Sequence, residues 1–229
     1  MAFYQESLTV KIVPNTRMNF LGHLLLAGPN PEIRIGNFIA DHIKGIPLTD
    51  FPPGVVKGIM MHRAIDYFTD TYPLLLEAKA LLRPGYRKYA SVVLDVLLDH
   101  FIANDWSKYS PLPLEPFIYR FYLQLVRYWS ILPPYWKELL PSFIDDNRIL
   151  RYRSSEGICE SLDIMAHTTS LPDASGYVKD IIETHYDRIN RMVATFIPDI
   201  VSSMSQQFDI VPIGWSLSKA RAIELYQYK

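Results

Sequence analysis

The 229-residue chain has a single cysteine, Cys159, so no internal disulfide can form. Its N-terminus lacks a basic segment followed by an apolar run, which argues against secretion and for a reducing cytoplasm. No apolar stretch approaches the roughly 20 residues that span a bilayer. The most apolar segment, 91–102, is broken by Asp95, Asp99 and His100, so the sequence reads as soluble, with no membrane partner. Net charge is missing too: 23 Lys and Arg against 24 Asp and Glu leave −1, no global field to attract nucleic acid or an anionic membrane. Any charged partner must meet a local patch. No glycine-rich phosphate loop, CxxC pair, HExxH or GxSxG is present, which argues against P-loop proteins, zinc ribbons, zincins and α/β-hydrolases. Hairpin signals are scarce, and there is neither a repeat nor a low-complexity tract.

What is there suits a packed globular body: 49% hydrophobic, 13% aromatic and 21% charged residues. From Met18 onward apolar residues recur at three and four spacing in RIGNFIADHIKG (34–45), PGVVKGIMMHRAIDYFTD (53–70), LLLEAKALL (74–82), RKYASVVLDVLLDHFIANDW (87–106) and LEPFIYRFYLQLVRYWSIL (114–132). YWKELLPSFIDD, SEGICESLDIMAHT and a long segment from Gly176 to about Ser203 follow. About eight helices and no strand pair predict an all-α fold, an irregular multi-helix bundle. The expected organisation is a leader over 1–17, a helical domain over 18–203 and a tail over 204–229 ending in a capped helix.

Three apolar helices carry polar groups that their patterns do not require. In 53–70, Val56, Ile59, Met60, Ala64, Ile65 and Phe68 form a core face, while His62, Asp66 and Asp70 run up an adjacent strip at i, i+4 and i+8. In VVLDVLLDHFI, Asp95 and Asp99 are an i, i+4 carboxylate pair with almost no solvated side. Buried charges are expected to be paired or metal-bound, and a shared cation would remove their repulsion. Asp41 and His23 are further candidates of this kind. Mixed His and Asp donors suit Mn²⁺, Mg²⁺, Fe²⁺ or Zn²⁺, and carboxylate-rich sites lean to the harder ions. Each residue singly has a plainer reading: a core histidine at His62, an Asp66–Arg63 ion pair, a helix-end group at Asp70. His42, His167 and His185 take that plainer reading, and Cys159 reads as a structural thiol.

MNFLGHLLLA (18–27), GNFIADHIKG (36–45), FPPGVVKGIMMHRAIDYFTD (51–70) and LDVLLDHFIANDWSKYS (94–110) resemble, in order and spacing, the successive motifs of bacterial acyl carrier protein phosphodiesterases. The resemblance covers roughly 18–200. It implies an all-helical fold of the HD-phosphohydrolase-like type, a divalent metal, Mn²⁺ first with Mg²⁺ or Fe²⁺ as alternatives, and removal of the 4'-phosphopantetheine arm from the serine of holo acyl carrier protein. Carried onto this sequence, it points to His23, Asp41, His62, Asp66, Asp95 and Asp99, with Asn37, Arg63, Asp70 and His100 close behind; their chemistry casts Asp41, His62, Asp66, Asp95 and Asp99 as metal ligands and His23, Arg63 and His100 as catalytic groups. The usual adjacent His-Asp dipeptide is absent; Asp41-His42 and Asp99-His100 are reversed.

A metal that neutralises a phosphodiester oxygen and activates water suits this chemistry. His100 or His23 would supply the proton for the departing serine oxygen, and Arg63 would cover the phosphate charge. The implied partner is acidic, so a basic docking patch is expected, either Arg83, Arg87 and Lys88 or Arg148, Arg151 and Arg153. Two rival functions stand: a metal phosphohydrolase of a nucleotide or other small diester on the same scaffold, and a noncatalytic helical protein-binding module.

Overall fold

The computed structural model describes residues 20–211. Among the described residues all regular structure is helical: α1 (Phe20–Leu26), α2 (Pro31–Ile39), α3 (Pro53–Thr71), α4 (Pro73–Tyr86), α5 (Ala90–Asn104), α6 (Trp106–Tyr109), α7 (Leu114–Arg127), α8 (Pro134–Asp145), α9 (Arg148–Arg151), α10 (Ser155–Thr168) and α11 (Ser175–Phe208). The expected all-α architecture is therefore the observed one. No helix among these residues is long and apolar enough to cross a membrane. The leader 1–17 and the C-terminal helix expected within the tail lie outside the described residues.

Local chemistry sets most of the helix starts. Proline stands in the first turn of α2, α3, α4 and α8, where a missing N–H costs nothing and its fixed φ already suits the helix. Asn30 caps α2 by accepting from the N–H groups of Glu32 and Ile33, and Ser154 caps α10 through the N–H of Gly157. The segment expected as one helix over 34–45 starts earlier, at the Asn30 cap, and leaves the α-helix at Ile39 for a 3₁₀ turn over Ala40–His42. That turn re-aims Asp41. The helix expected over 114–132 likewise ends at Arg127 and continues as a 3₁₀ turn at Trp129–Ile131 before Pro133.

Every residue of α5 from 93 to 103 is buried. A helix apolar all round belongs at the centre, and α1, α4, α10 and α11 pack on it. Aromatic rings lock α1, α2 and α8 together: Phe20, Phe38, Trp136 and Phe143 meet at centroid separations from 4.1 to 5.7 Å.

The most extensive helix contact is between α2 and α3, and two glycines permit it. A Cβ on Gly36 would run into the Val55 carbonyl, and one on Gly58 into the Ile33 carbonyl and the Asn37 N–H. Here backbone touches backbone. Asn37 of α2 is thereby carried to within bonding distance of His62 on α3.

Candidate functional site

Four elements converge beside that crossing: α1 with His23, α2 with Asn37, the 3₁₀ turn with Asp41, and α3 with His62 and Asp66. His23, Asn37 and His62 are 2%, 0% and 6% exposed, so their polar atoms must find partners inside the protein. Asn37 provides them. Its side-chain Nδ2 donates to the His23 carbonyl at 3.4 Å, which turns its Oδ1 toward His23 Nδ1 at 2.6 Å. Its backbone carbonyl stands 2.8 Å from His62 Nδ1. Both acceptors are oxygens, so each imidazole carries its proton on Nδ1 and presents an Nε2 lone pair on the other side.

Those two lone pairs point at carboxylates. His23 Nε2 lies 3.4 Å from Asp66 Oδ1, and His62 Nε2 lies 3.4 Å from Asp66 Oδ2 and 3.3 Å from Asp41 Oδ1. The rings of His23 and His62 stack with centroids 4.2 Å apart. Neither Nε2 has a hydrogen-bond partner of acceptable geometry, although both are buried. One ligand atom each from His23, His62 and Asp66 falls within 4.8 Å of the others. Atoms bound at about 2.1 Å to one ion stand about 3.0–3.5 Å apart, and both Nε2 to Asp66 separations, 3.4 Å, fall in that range, so this donor set suits a divalent cation. A cavity of about 10 Å³ adjoins them, bordered by Phe20, His23, Asn37, Asp41, His42 and His62.

The titration behaviour of the two histidines diverges. Burial, then the neighbouring His62, pull the His23 pKa below the usual imidazole value, and Asp66 and Asn37 offset this only in part. For His62 burial again acts downward, but the Asp41 and Asp66 carboxylates and the Asn37 carbonyl outweigh it and the pKa rises. Two stacked imidazoles cannot both hold a proton cheaply. The pair is therefore set to hold one proton at most, on His62 beside the two carboxylates. His42 is pushed down to about 4 by burial; it lies flat on Tyr135 at 4.0 Å, 5° from parallel.

The other expected residues have the following surroundings. Asp99, anticipated as a ligand, is wholly buried and turns both oxygens to α1, accepting the N–H groups of Leu21 at 2.9 Å and Gly22 at 2.8 Å. Burial raises its pKa to about 7 against the downward pull of these bonds. Asp95 is also buried on α5. His100 sits 2.8 Å from the Tyr152 carbonyl through Nδ1 and edge-on to Tyr186, facing α9 and α11. Arg63 is exposed on α3, its guanidinium 3.7 Å from Met60 Sδ. Asp66 pairs with the histidines as described, and Asp70 pairs with Lys79 at 3.1 Å.

Of the basic patches, Arg151 is held by Glu160 at 2.6 Å, Arg148 lies 3.5 Å from Asp146 and Arg153 3.6 Å from Glu115. Arg83, Arg87 and Lys88 are exposed. Cys159 reaches the Ser175 carbonyl at 3.5 Å, and burial pushes its thiol pKa up. Sequence reasoning did not single out Arg34, 1% exposed, which lies over the Phe117 ring and 3.4 Å from Gln124. The family resemblance points to Asn37 but not to its part as the hub that orients both histidines, which shows only in the fold.

Residues 18–200 match the family described as acyl carrier protein phosphodiesterase. A protein of that name from Salmonella agona is 34% identical over 191 residues, 83% of this chain and 99% of the relative. Another from Yersinia enterocolitica serotype O:8 is 35% identical over 187 residues, 81% of this chain and 96% of the relative. No solved structure matches the chain. Membership rests on nearly the whole length of these relatives, and the matched span contains every residue of the cluster: the chain belongs to the acyl carrier protein phosphodiesterase family.

Proposed function

We propose that this protein hydrolyses the phosphodiester of holo acyl carrier protein, releasing 4'-phosphopantetheine and returning the serine hydroxyl of the apo protein. Water adds to phosphorus, the bond from phosphorus to the serine oxygen breaks, and that oxygen takes up a proton. The observation that carries the reading is the convergence of two Nδ1-protonated histidines on Asp66, within a chain that matches this family over residues 18–200.

The proposed ligand set is His23, His62 and Asp66, with Asp41 beside His62. It keeps His62 and Asp66 of the five ligands expected from sequence, holds Asp41 adjacent, and recruits His23, whose Nε2 faces Asp66 at 3.4 Å. These residues would hold a divalent ion, Mn²⁺ first, which would supply charge neutralisation for the phosphodiester and activation of water. Asn37 orients both imidazoles and fixes Nδ1 as the protonated nitrogen of the neutral rings, so that Nε2 faces the carboxylates. Arg63, exposed one residue beyond His62, supplies a mobile cation for the charge that shifts to the serine oxygen. His100, engaged with the Tyr152 carbonyl, takes no step in this scheme. For docking the substrate protein, Arg83, Arg87 and Lys88 are the better of the two basic patches, because Arg148, Arg151 and Arg153 already face carboxylates.

The test is direct. Purified protein incubated with holo acyl carrier protein and Mn²⁺ should convert it to the apo form, seen by mass spectrometry, and chelation should stop the conversion. Turnover of a generic small diester with the carrier protein untouched would contradict the substrate and favour the small-diester reading.

A further inference from the structure

Asp99 and Asp95 share one signature in the sequence, yet Asp99 lies on neither α2 nor α3 and its oxygens are taken up by backbone. Those N–H groups belong to the first turn of α1, where a helix cannot satisfy its own donors. Such caps are ordinarily local. This one comes from 77 and 78 residues away, out of the most enclosed helix of the fold.

The described part of α1, Phe20–Leu26, packs on α2 and α5. The residue following Leu21 and Gly22 is His23. Gly22 brings the helix close against α5: a Cβ there would lie 3.3 Å from Ile102 Cδ1 and 3.5 Å from Asp99 Oδ1. The far side of the His23 ring is fixed by Asn37 and by the stack on His62. Metal bonds tolerate only about 0.2 Å of error in length, so a slide of α1 by one ångström would remove Nε2 from any ion held by His62 and Asp66.

The geometry points to Asp99 as a positioning residue for the metal centre: it sets the height of His23 by gripping the first turn of α1, and it touches neither the ion nor the substrate. This rests on His23 being a ligand. It separates the two buried features of the sequence, His62 with Asp66 as ligands and Asp99 as the anchor of a third.

The test uses the full chain and Mn²⁺ affinity measured by the electron paramagnetic resonance of free Mn²⁺, with helical content checked by circular dichroism. Asp99→Asn keeps the shape but sets an NH₂ against one of the two N–H donors. It should weaken Mn²⁺ binding about 10- to 100-fold, the range for groups that orient ligands, while the KM for holo acyl carrier protein changes less than about twofold. In a His23→Ala background, where there is no ring left to position, Asp99→Asn should add no further loss of Mn²⁺ affinity. Gly22→Val, which displaces α1 and leaves the carboxylate, should behave in the same way and stands in if Asp99→Asn does not fold. Wild-type affinity in either folded variant, or an equal loss with and without His23, would overturn the inference. A wild-type protein that binds Mn²⁺ but leaves the carrier protein intact would instead contradict the substrate reading, and one that binds none would contradict the ligand set.

Discussion

The His62 strip of α3 and the Asp99 strip of α5 look alike in sequence, each an i, i+4 polar pair within an apolar helix, but the fold uses them differently. On α3, His62 engages the Asn37 backbone carbonyl through Nδ1 but turns Nε2 to the Asp41 and Asp66 carboxylates, and His23 Nε2 faces Asp66 as well. On α5 the partners are backbone: Leu21 and Gly22 for Asp99, Tyr152 for His100. A buried carboxylate that spends both oxygens on the N–H groups of a neighbouring helix serves the scaffold by holding that helix. A polar group bonded on a single side, with its other atom facing charge, has capacity left for a ligand.

Substitutions can break this contrast, beginning with the largest effect. His62→Ala removes a donor atom and should lower both Mn²⁺ affinity and carrier-protein hydrolysis by more than about 100-fold, beyond what loss of an orienting partner does; titration calorimetry and the apo-protein assay check it. Asn37→Ala leaves both imidazoles in place but frees the His23 ring, and should weaken Mn²⁺ binding about 10- to 100-fold by the same calorimetry.

Acid should act more gradually. The carboxylates around His62 hold its pKa above the ordinary 6.5, and Mn²⁺ must displace that proton to bind. Affinity is therefore full at pH values above the raised pKa and falls as pH drops through it, by up to about tenfold per unit for one proton displaced. Calorimetry across pH 5.5–8.5 would show it, and His62→Ala should abolish that slope. The smallest effect belongs to α5: His100→Ala should leave Mn²⁺ affinity within about threefold of wild type, because its ring faces Tyr152 and Tyr186. A loss as large as that of His62→Ala would erase the distinction between the strips.

The helices were legible in the sequence because apolar spacing and proline starts agree: 53–70 was expected where Pro53–Thr71 is found. The 3₁₀ turn at Ala40–His42 was not, since no proline or glycine marks it, and it decides where Asp41 points. In the site, spacing put His62 and Asp66 on one face of a helix. It does not say whether the group opposite is a side chain or a peptide, as with the Leu21 and Gly22 N–H groups that face Asp99. That information is tertiary: it lies in the close crossing at Gly36 and Gly58 and in the packing of α1 on α5.

The most direct test of the account is the position of the ion. In crystals of the protein grown with Mn²⁺, the anomalous difference map should show its strongest peak within bonding distance of His23 Nε2, His62 Nε2 and an Asp66 oxygen. A strongest peak bound instead by the Asp95 and Asp99 carboxylates, with the two imidazoles bare, would contradict it.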